Sequence, residues 1–279
     1  VLKTKTSSVP YGSFDLIYGG SVDKWIKFAN SLRLRLALRL SKVDPTRAKA
    51  EAEAAVASGV LADSPSEDAL IQKSNNGADY NGLSIMSEWN EFRMSATMES
   101  VLKGYQDPRM SIYWLPAGAS KDNPNGTGSY EGLRNGLTST ELTQAINLPT
   151  ANSKVGKRWS SPNFAGNADY LTTPQNIMSV AESYFNRAEG ALLGWNMGGT
   201  AASLYADGIR ESMNQWGITD AAAIAAYTNS TNVPIAPQDF KNSPAVSTAP
   251  VKFSSNPAQQ KEQIAIQKWI AMFPDGNEA

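Results

Sequence analysis

The sequence has no cysteine and no histidine. The first absence excludes disulfides, thiolate catalysis and cysteine metal sites. The second removes Ser-His-Asp triads, cysteine–histidine dyads and His-ligated zinc or iron. No apolar run approaches the roughly 20 residues of a membrane-spanning helix, and no signal peptide opens the chain. The net charge is −1, with both signs spread along the sequence. There is no basic block for nucleic acid and no basic amphipathic helix for a membrane surface. Metal binding is left to oxygen ligands, and Asp122-Asn-Pro-Asn-Gly126 is oxygen-rich. Pro124, however, occupies a ligand position of the calcium-loop pattern. No metal and no cofactor are expected.

What is present is helical patterning. The 279 residues suffice for a sizeable core. The stretch 21–43 organises the chain, with apolar residues at Trp25, Phe28, Leu32, Leu36 and Leu40 and a second set at Ile26, Leu34, Ala37 and Leu38. Helical spacing with apolar residues nearly all round predicts a helix enclosed by others. Ser21 is its N-cap, and Asp44-Pro45 opens the next helix. That second helix, 44–58, carries the stripe Ala48, Ala52, Ala55 and Val56. Its small residues suit close antiparallel packing on the first helix, a hairpin of tetratricopeptide type.

Further helices are predicted over 85–103, 174–193, 201–216, 219–227 and 256–273, the last opened by Asn256-Pro257. The helical core is thus 21–60, 85–104, 174–228 and 256–273, with 174–217 a second hairpin. Short strands are expected at 69–72, 111–115 and 132–137. The first twelve residues and the final Pro-Asp-Gly-Asn-Glu-Ala read as an irregular start and an abrupt stop, as in a fragment. Residues 105–172 are broken repeatedly by proline and glycine, yet hold Tyr113, Trp114, Tyr130, Trp159, Phe164 and Tyr170. Disordered segments are poor in aromatics, so this region is expected to be ordered and to carry recognition.

Two constellations could carry chemistry. Arg33, Arg35 and Arg39 interrupt the first helix, and a buried guanidinium without a partner is unfavourable by about 3–5 kcal/mol. At least one should meet a carboxylate of another helix. Glu182 and Glu189, seven apart on one helical face, are the candidates. They could instead be the acid/base pair of a glycoside hydrolase, but the ion-pair reading is favoured because structural networks commonly use acids in this way. The second constellation is aromatic. Trp114, Tyr130, Trp159 and Phe164 lie in loops beside Asn123, Asn125, Asn163 and Asn167. Rings stack on the C–H faces of sugars, and amides pair with hydroxyls. The same rings could instead tether the loops to the helical body by burying large areas. Trp114, Tyr130, Trp159, Phe164 and Asn163 are the ligand-binding candidates.

The chain also resembles a known family in three blocks. The first is Asp15-Leu-Ile-Tyr-Gly-Gly20 followed by Trp25-Ile-Lys-Phe-Ala-Asn-Ser-Leu-Arg-Leu-Arg-Leu-Ala37. The second is Ala181-Glu-Ser-Tyr-Phe-Asn-Arg-Ala-Glu189 with Tyr205-Ala-Asp-Gly-Ile-Arg-Glu-Ser-Met-Asn-Gln-Trp-Gly217. The third is Gln263-Ile-Ala-Ile-Gln-Lys-Trp-Ile-Ala-Met-Phe273. Together they look like the SusD/RagB-type proteins of Bacteroidetes, lipid-anchored nutrient-binding proteins of the outer membrane. The resemblance implies a single mainly α domain over 1–279, with tetratricopeptide-like hairpins, long irregular loops and few short strands. It implies a cell-surface subunit that captures an oligosaccharide, or in some relatives a peptide, and passes it to a SusC-like, TonB-dependent transporter. It implies binding and release, with no bond cleavage and the membrane reached only through a lipid anchor. A protein-binding helical scaffold is the further alternative.

Overall fold

The computed structural model describes residues 12–279; the irregular start expected over the first residues falls largely outside them. The fold is mainly α. In chain order it contains α1 (Val22–Leu40), α2 (Pro45–Ala57), β1 (Ala69–Ile71), α3 (Gly82–Glu88), α4 (Ala96–Tyr105), the single turn α5 (Met110–Tyr113), β2 (Gln175–Met178), α6 (Val180–Leu192), α7 (Ala201–Gln215), α8 (Ala221–Thr228) and α9 (Pro257–Ala271). β1 and β2 form a two-stranded sheet. The elements fall into two compact units. The first takes the chain up to residue 71, 176–228 and 253–279; the second takes 72–175 and 229–252.

The first unit is a set of packed helical hairpins. Ser21 caps α1 by accepting from the Lys24 amide, and Asp44 caps α2 by accepting from that of Arg47. Ala48, Ala52 and Ala55 are fully buried where α2 lies on α1. α6 and α7 form the second hairpin, and α9 and α1 both pack on α6. Its core is Val180, Phe185 and Ala188 with Leu204, Ile209, Met213, Ile264 and Ile270. A reciprocal cap between Thr200 and Ser203 starts α7. One expectation is corrected. α1 is not enclosed on all sides: Leu36 is 55% exposed, and Ala29 and Arg39 also face solvent. The hairpin partner α2 and the neighbour α6 cover only part of its circumference.

The helix expected from Thr173-Pro174 also begins later. Residues 175–178 are extended and pair with β1, and Ser179 caps α6 by accepting from the Glu182 amide. α8 is capped by Asp220, which accepts from the amides of Ala222 and Ala223, and not by Thr219.

A buried acid, Asp68, accepts from the Val180 amide at 2.7 Å. Burial pushes its carboxyl up to about 7, and the charges of Glu211 and Glu67 push the same way against the Val180 hydrogen bond. A folded-state pKa above the unfolded value means that the native state holds the extra proton. The contribution to stability is therefore full below about pH 4 and is lost as pH rises toward 7. Asp68→Asn, which keeps the acceptor, is expected to stabilise the protein by about 1–3 kcal/mol at pH 8 relative to its effect at pH 4. Urea midpoints at the two pH values check this; an equal difference at both contradicts it.

The second unit is built from α3–α5 and long loops with repeated 3-10 turns. The single helix expected over 85–103 is two helices. α3 ends at Glu88, Asn90 turns the chain with φ +61, and Ser95 caps α4 by accepting from the Met98 amide. The break is held by distant backbone: the Met94 amide donates to Ser153 O at 2.9 Å, and its carbonyl accepts from Leu133 at 2.7 Å. Gly104, at the end of the expected helix, lies inside α4, where a Cβ would stand 2.4 Å from Val233 O. The left-handed residue that ends α4 is Gln106. The strands expected at 111–115 and 132–137 are single bridges, Trp114 to Val155 and Leu133 to Ser95, and 110–113 is a helical turn. The loops are ordered through buried contacts. The Tyr105 hydroxyl donates to Ala249 O at 2.9 Å, and Arg109 and Asp107 form an ion pair whose side chains are both fully buried.

Candidate functional site

Within the second unit, four segments line an open depression of about 180 Å³. They are the turn after α3 (Asn90, Arg93), the stretch 116–120, the stretch 149–154 (with Asn152 and Lys154) and the turn that carries Asn163 and Phe164. Each is fixed by backbone pairing. The Asn163 carbonyl accepts from the Lys121 amide at 3.1 Å, and the Lys154 carbonyl from that of Leu115 at 2.8 Å. The 3-10 turn Pro162–Phe164 starts at a proline and ends in left-handed Ala165. The chain then folds back so tightly that a Cβ on Gly166 would lie 1.6 Å from Ser160 O. Only glycine can occupy that position without moving the turn.

The electrostatics of the lining are one-sided. Arg93 donates to Pro149 O at 3.2 Å, Phe92 O at 2.7 Å and Asn90 Oδ1 at 2.7 Å. Lys154 is 5% exposed; its ammonium donates to Ser87 O and stands 3.5 Å from the centroid of the Phe164 ring. Burial lowers its pKa to about 8, the positive charge of Arg93 adds to this, and Glu88 opposes it. Burial also holds Arg93 below its usual value. Asn152 spends its amide hydrogens on Ile146 O and Leu148 O, at 2.9 and 3.0 Å. The lining thus offers one ring, several amides, a hydroxyl at Ser120 and two cations, and it contains no carboxylate.

Of the ligand-binding candidates read from the sequence, the structure brings Asn163 and Phe164 together in this depression. Tyr130 is half-buried and does not line it. Trp114 and Trp159 are only 3% and 2% exposed, so their ring faces are taken up by the protein. Trp114 stacks on Phe92, with centroids 5.9 Å apart and planes at 12°. Both tryptophans anchor the loops to the body of the unit. Trp89, inside the helix expected over 85–103, is 62% exposed at the C-cap of α3, one residue before Asn90. Arg93 and Lys154 were missed altogether. The usable signal was Asn90 and Ser95, a turn residue and a cap inside an apolar run.

The arginine–carboxylate candidates sort differently. Arg35 forks onto Glu182, with Nε and Nη2 each 2.6 Å from a carboxylate oxygen. Arg33 pairs with Glu51 of its own hairpin at 2.6 Å, with the two side chains 42% and 39% exposed, so it is not part of the buried set. Glu189 is half-buried and lines a cavity of about 260 Å³ with Arg35, Arg39, Lys261 and Lys268. Glu182 is therefore committed to an ion pair and is unavailable as a free general acid. The segment Asp122–Gly126 is a turn closed by Asn123 Nδ2 on Gly126 O. Among the described residues no group of three or more acids could hold a metal ion, and no helix is long and apolar enough to cross a membrane.

Comparison with known proteins places these features in a family. The sequence model described as SusD-like, "Susd and RagB outer membrane lipoprotein", matches residues 1–279. Among solved structures, a chitin-binding SusD homologue from Flavobacterium johnsoniae is 35% identical, with a TM-score of 0.78 over 99% of this chain and 55% of its own. A SusD-like protein from Bacteroides thetaiotaomicron is 32% identical, with a TM-score of 0.80 over 100% and 55%. A SusD homologue from Bacteroides ovatus is 31% identical, with a TM-score of 0.82 over 99% and 55%. The chain thus spans little more than half the length of these relatives. No curated protein sequence matches. The chain belongs to the SusD-like family of outer-membrane lipoproteins.

Proposed function

We propose that this chain is part of a surface glycan-binding protein, and that the depression around Phe164 and Asn163 contacts the sugar. The observation that carries the reading is the convergence there of an aromatic ring with Asn90, Asn152, Asn163 and Ser120 on backbone-pinned loops. A ring with a few fixed polar groups is the usual make-up of a small-ligand site. The family supports a nutrient-binding role, and a relative described as chitin-binding supports a glycan as the nutrient. The action is capture and release. Glycoside hydrolysis needs a pair of carboxylates, and this lining supplies none. In the cell the protein would be held at the outer membrane by a lipid anchor and would hand its ligand to a SusC-like, TonB-dependent transporter.

The test is intrinsic tryptophan fluorescence during titration with a panel of soluble oligosaccharides, the same samples being assayed for reducing ends. A saturable change with one glycan class and constant reducing ends is expected. New reducing ends would replace this reading with an enzyme.

A further inference from the structure

Several buried or largely buried cations of this molecule meet carboxylates. Arg35 has Glu182, Lys103 has Glu99 and Glu131, and Arg109 has Asp107. Such pairing is expected, because an ammonium or guanidinium taken out of water without a counter-charge is disfavoured by several kcal/mol. Arg93 and Lys154 depart from this pattern. The bonds they form go to neutral oxygens, Pro149 O, Phe92 O, Asn90 Oδ1 and Ser87 O. Neither is in an ion pair among the described residues. They also repel each other, since Arg93 acts on Lys154 as an adverse charge; among the described residues Glu88 acts on Lys154 as a favourable charge, but its carboxylate forms no hydrogen bond or ion pair with the ammonium. Two like charges, one of them 95% buried, thus stand beside one open cavity whose lining holds no carboxylate.

We infer that the ligand of this depression carries an anionic substituent, a carboxylate or a sulfate, seated against Arg93 and Lys154. The inference deepens the glycan-binding reading and rests on it: the ligand is an acidic glycan, not a neutral one. Phe164 supplies the apolar face beside the charge, and its ring already holds the Lys154 ammonium in place. Arg93 is fixed by Asn90 and by two backbone carbonyls, so the site is charged and oriented before ligand arrives, which limits the ordering penalty of binding.

The experiment is isothermal titration with matched oligosaccharides. One pair is tetragalacturonate and its methyl ester; the other is a sulfated galacto-oligosaccharide and its desulfated form. An acidic member is expected to bind at least tenfold tighter than its neutral partner, and the pair that shows the preference identifies the anion as carboxylate or sulfate. Lys154→Gln and Arg93→Gln should each abolish the preference. Because Lys154 is buried and its variant can fail to fold, the salt dependence of the wild-type protein is a second readout. Between 50 and 300 mM salt, affinity for the acidic member should fall severalfold while that for the neutral member holds. Binding of neutral members with no preference for acidic ones overturns this inference and leaves the glycan reading intact. Failure of every member to bind also overturns this inference, and the oligosaccharide panel then decides the glycan reading separately.

Discussion

Glu182→Ala is expected to lower the stability of the first unit by about 3–5 kcal/mol, the usual consequence of removing one partner of a buried ion pair. The carboxylate is 1% exposed and accepts both arms of the Arg35 fork at 2.6 Å. It also accepts from Asn186 Nδ2 at 3.3 Å. Alanine would leave the guanidinium in a largely desolvated position between α1 and α6 without the two oxygens it now donates to. Since whole domains are stable by only about 5–15 kcal/mol, the variant should unfold at a much lower urea concentration. Arg33→Ala is the internal control. Its partner Glu51 is solvated, and exposed pairs contribute about 0–1 kcal/mol. Similar urea midpoints for the two variants would contradict the assignment of Arg35–Glu182 as the buried pair.

Arg109→Ala is expected to be about as severe, roughly 3–5 kcal/mol, but in the second unit. Arg109 Nε and Nη2 lie 2.9 and 2.6 Å from the Asp107 carboxylate, which also accepts from the Arg109 amide at 2.9 Å. Both side chains are fully buried. The Arg109 carbonyl accepts from the amides of Ile112 and Tyr113, so the pair fixes the turn that leads to Trp114 and the loops of the depression. Arg109→Lys should not rescue it, since a point charge cannot reproduce the planar fork. Amide hydrogen exchange over 107–115 is the appropriate measure, because the units need not unfold together. Unchanged protection in Arg109→Ala would refute the argument.

The two pairs show what could be read from the sequence and what could not. A run of arginines in an apolar helix announced that carboxylates were needed, and Glu182 was among those named. Which arginine would be buried depended on the rotation of α1 against α2 and α6, and local spacing does not encode that rotation. The hairpins were legible because their signals are local: Ser21, Asp44-Pro45, Thr200 and Asn256-Pro257 as caps, and the alanine stripe of α2. The failures share a cause. The break between α3 and α4 is held by Ser153 and Leu133, and β2 is extended because β1, a hundred residues earlier, pairs with it. Apolar patterning ran through both places and suggested continuous helix. The site followed the same rule. Aromatic loops were recognisable from composition, but ring exposure is decided by tertiary packing. Trp114 and Trp159 went inside, Trp89 came out, and Lys154 entered the lining through the pairing of its own backbone with Leu115.

The most direct test of the central claim, that the depression around Phe164 binds the sugar, is a comparison of wild type with Phe164→Ala. Both would be titrated calorimetrically with the glycan selected from the panel. Removing the ring should weaken binding at least tenfold, about 1.4 kcal/mol, with little change in melting temperature for a half-exposed side chain. Equal affinity in the two proteins, with both folded, would place the ligand elsewhere on the molecule and contradict the account.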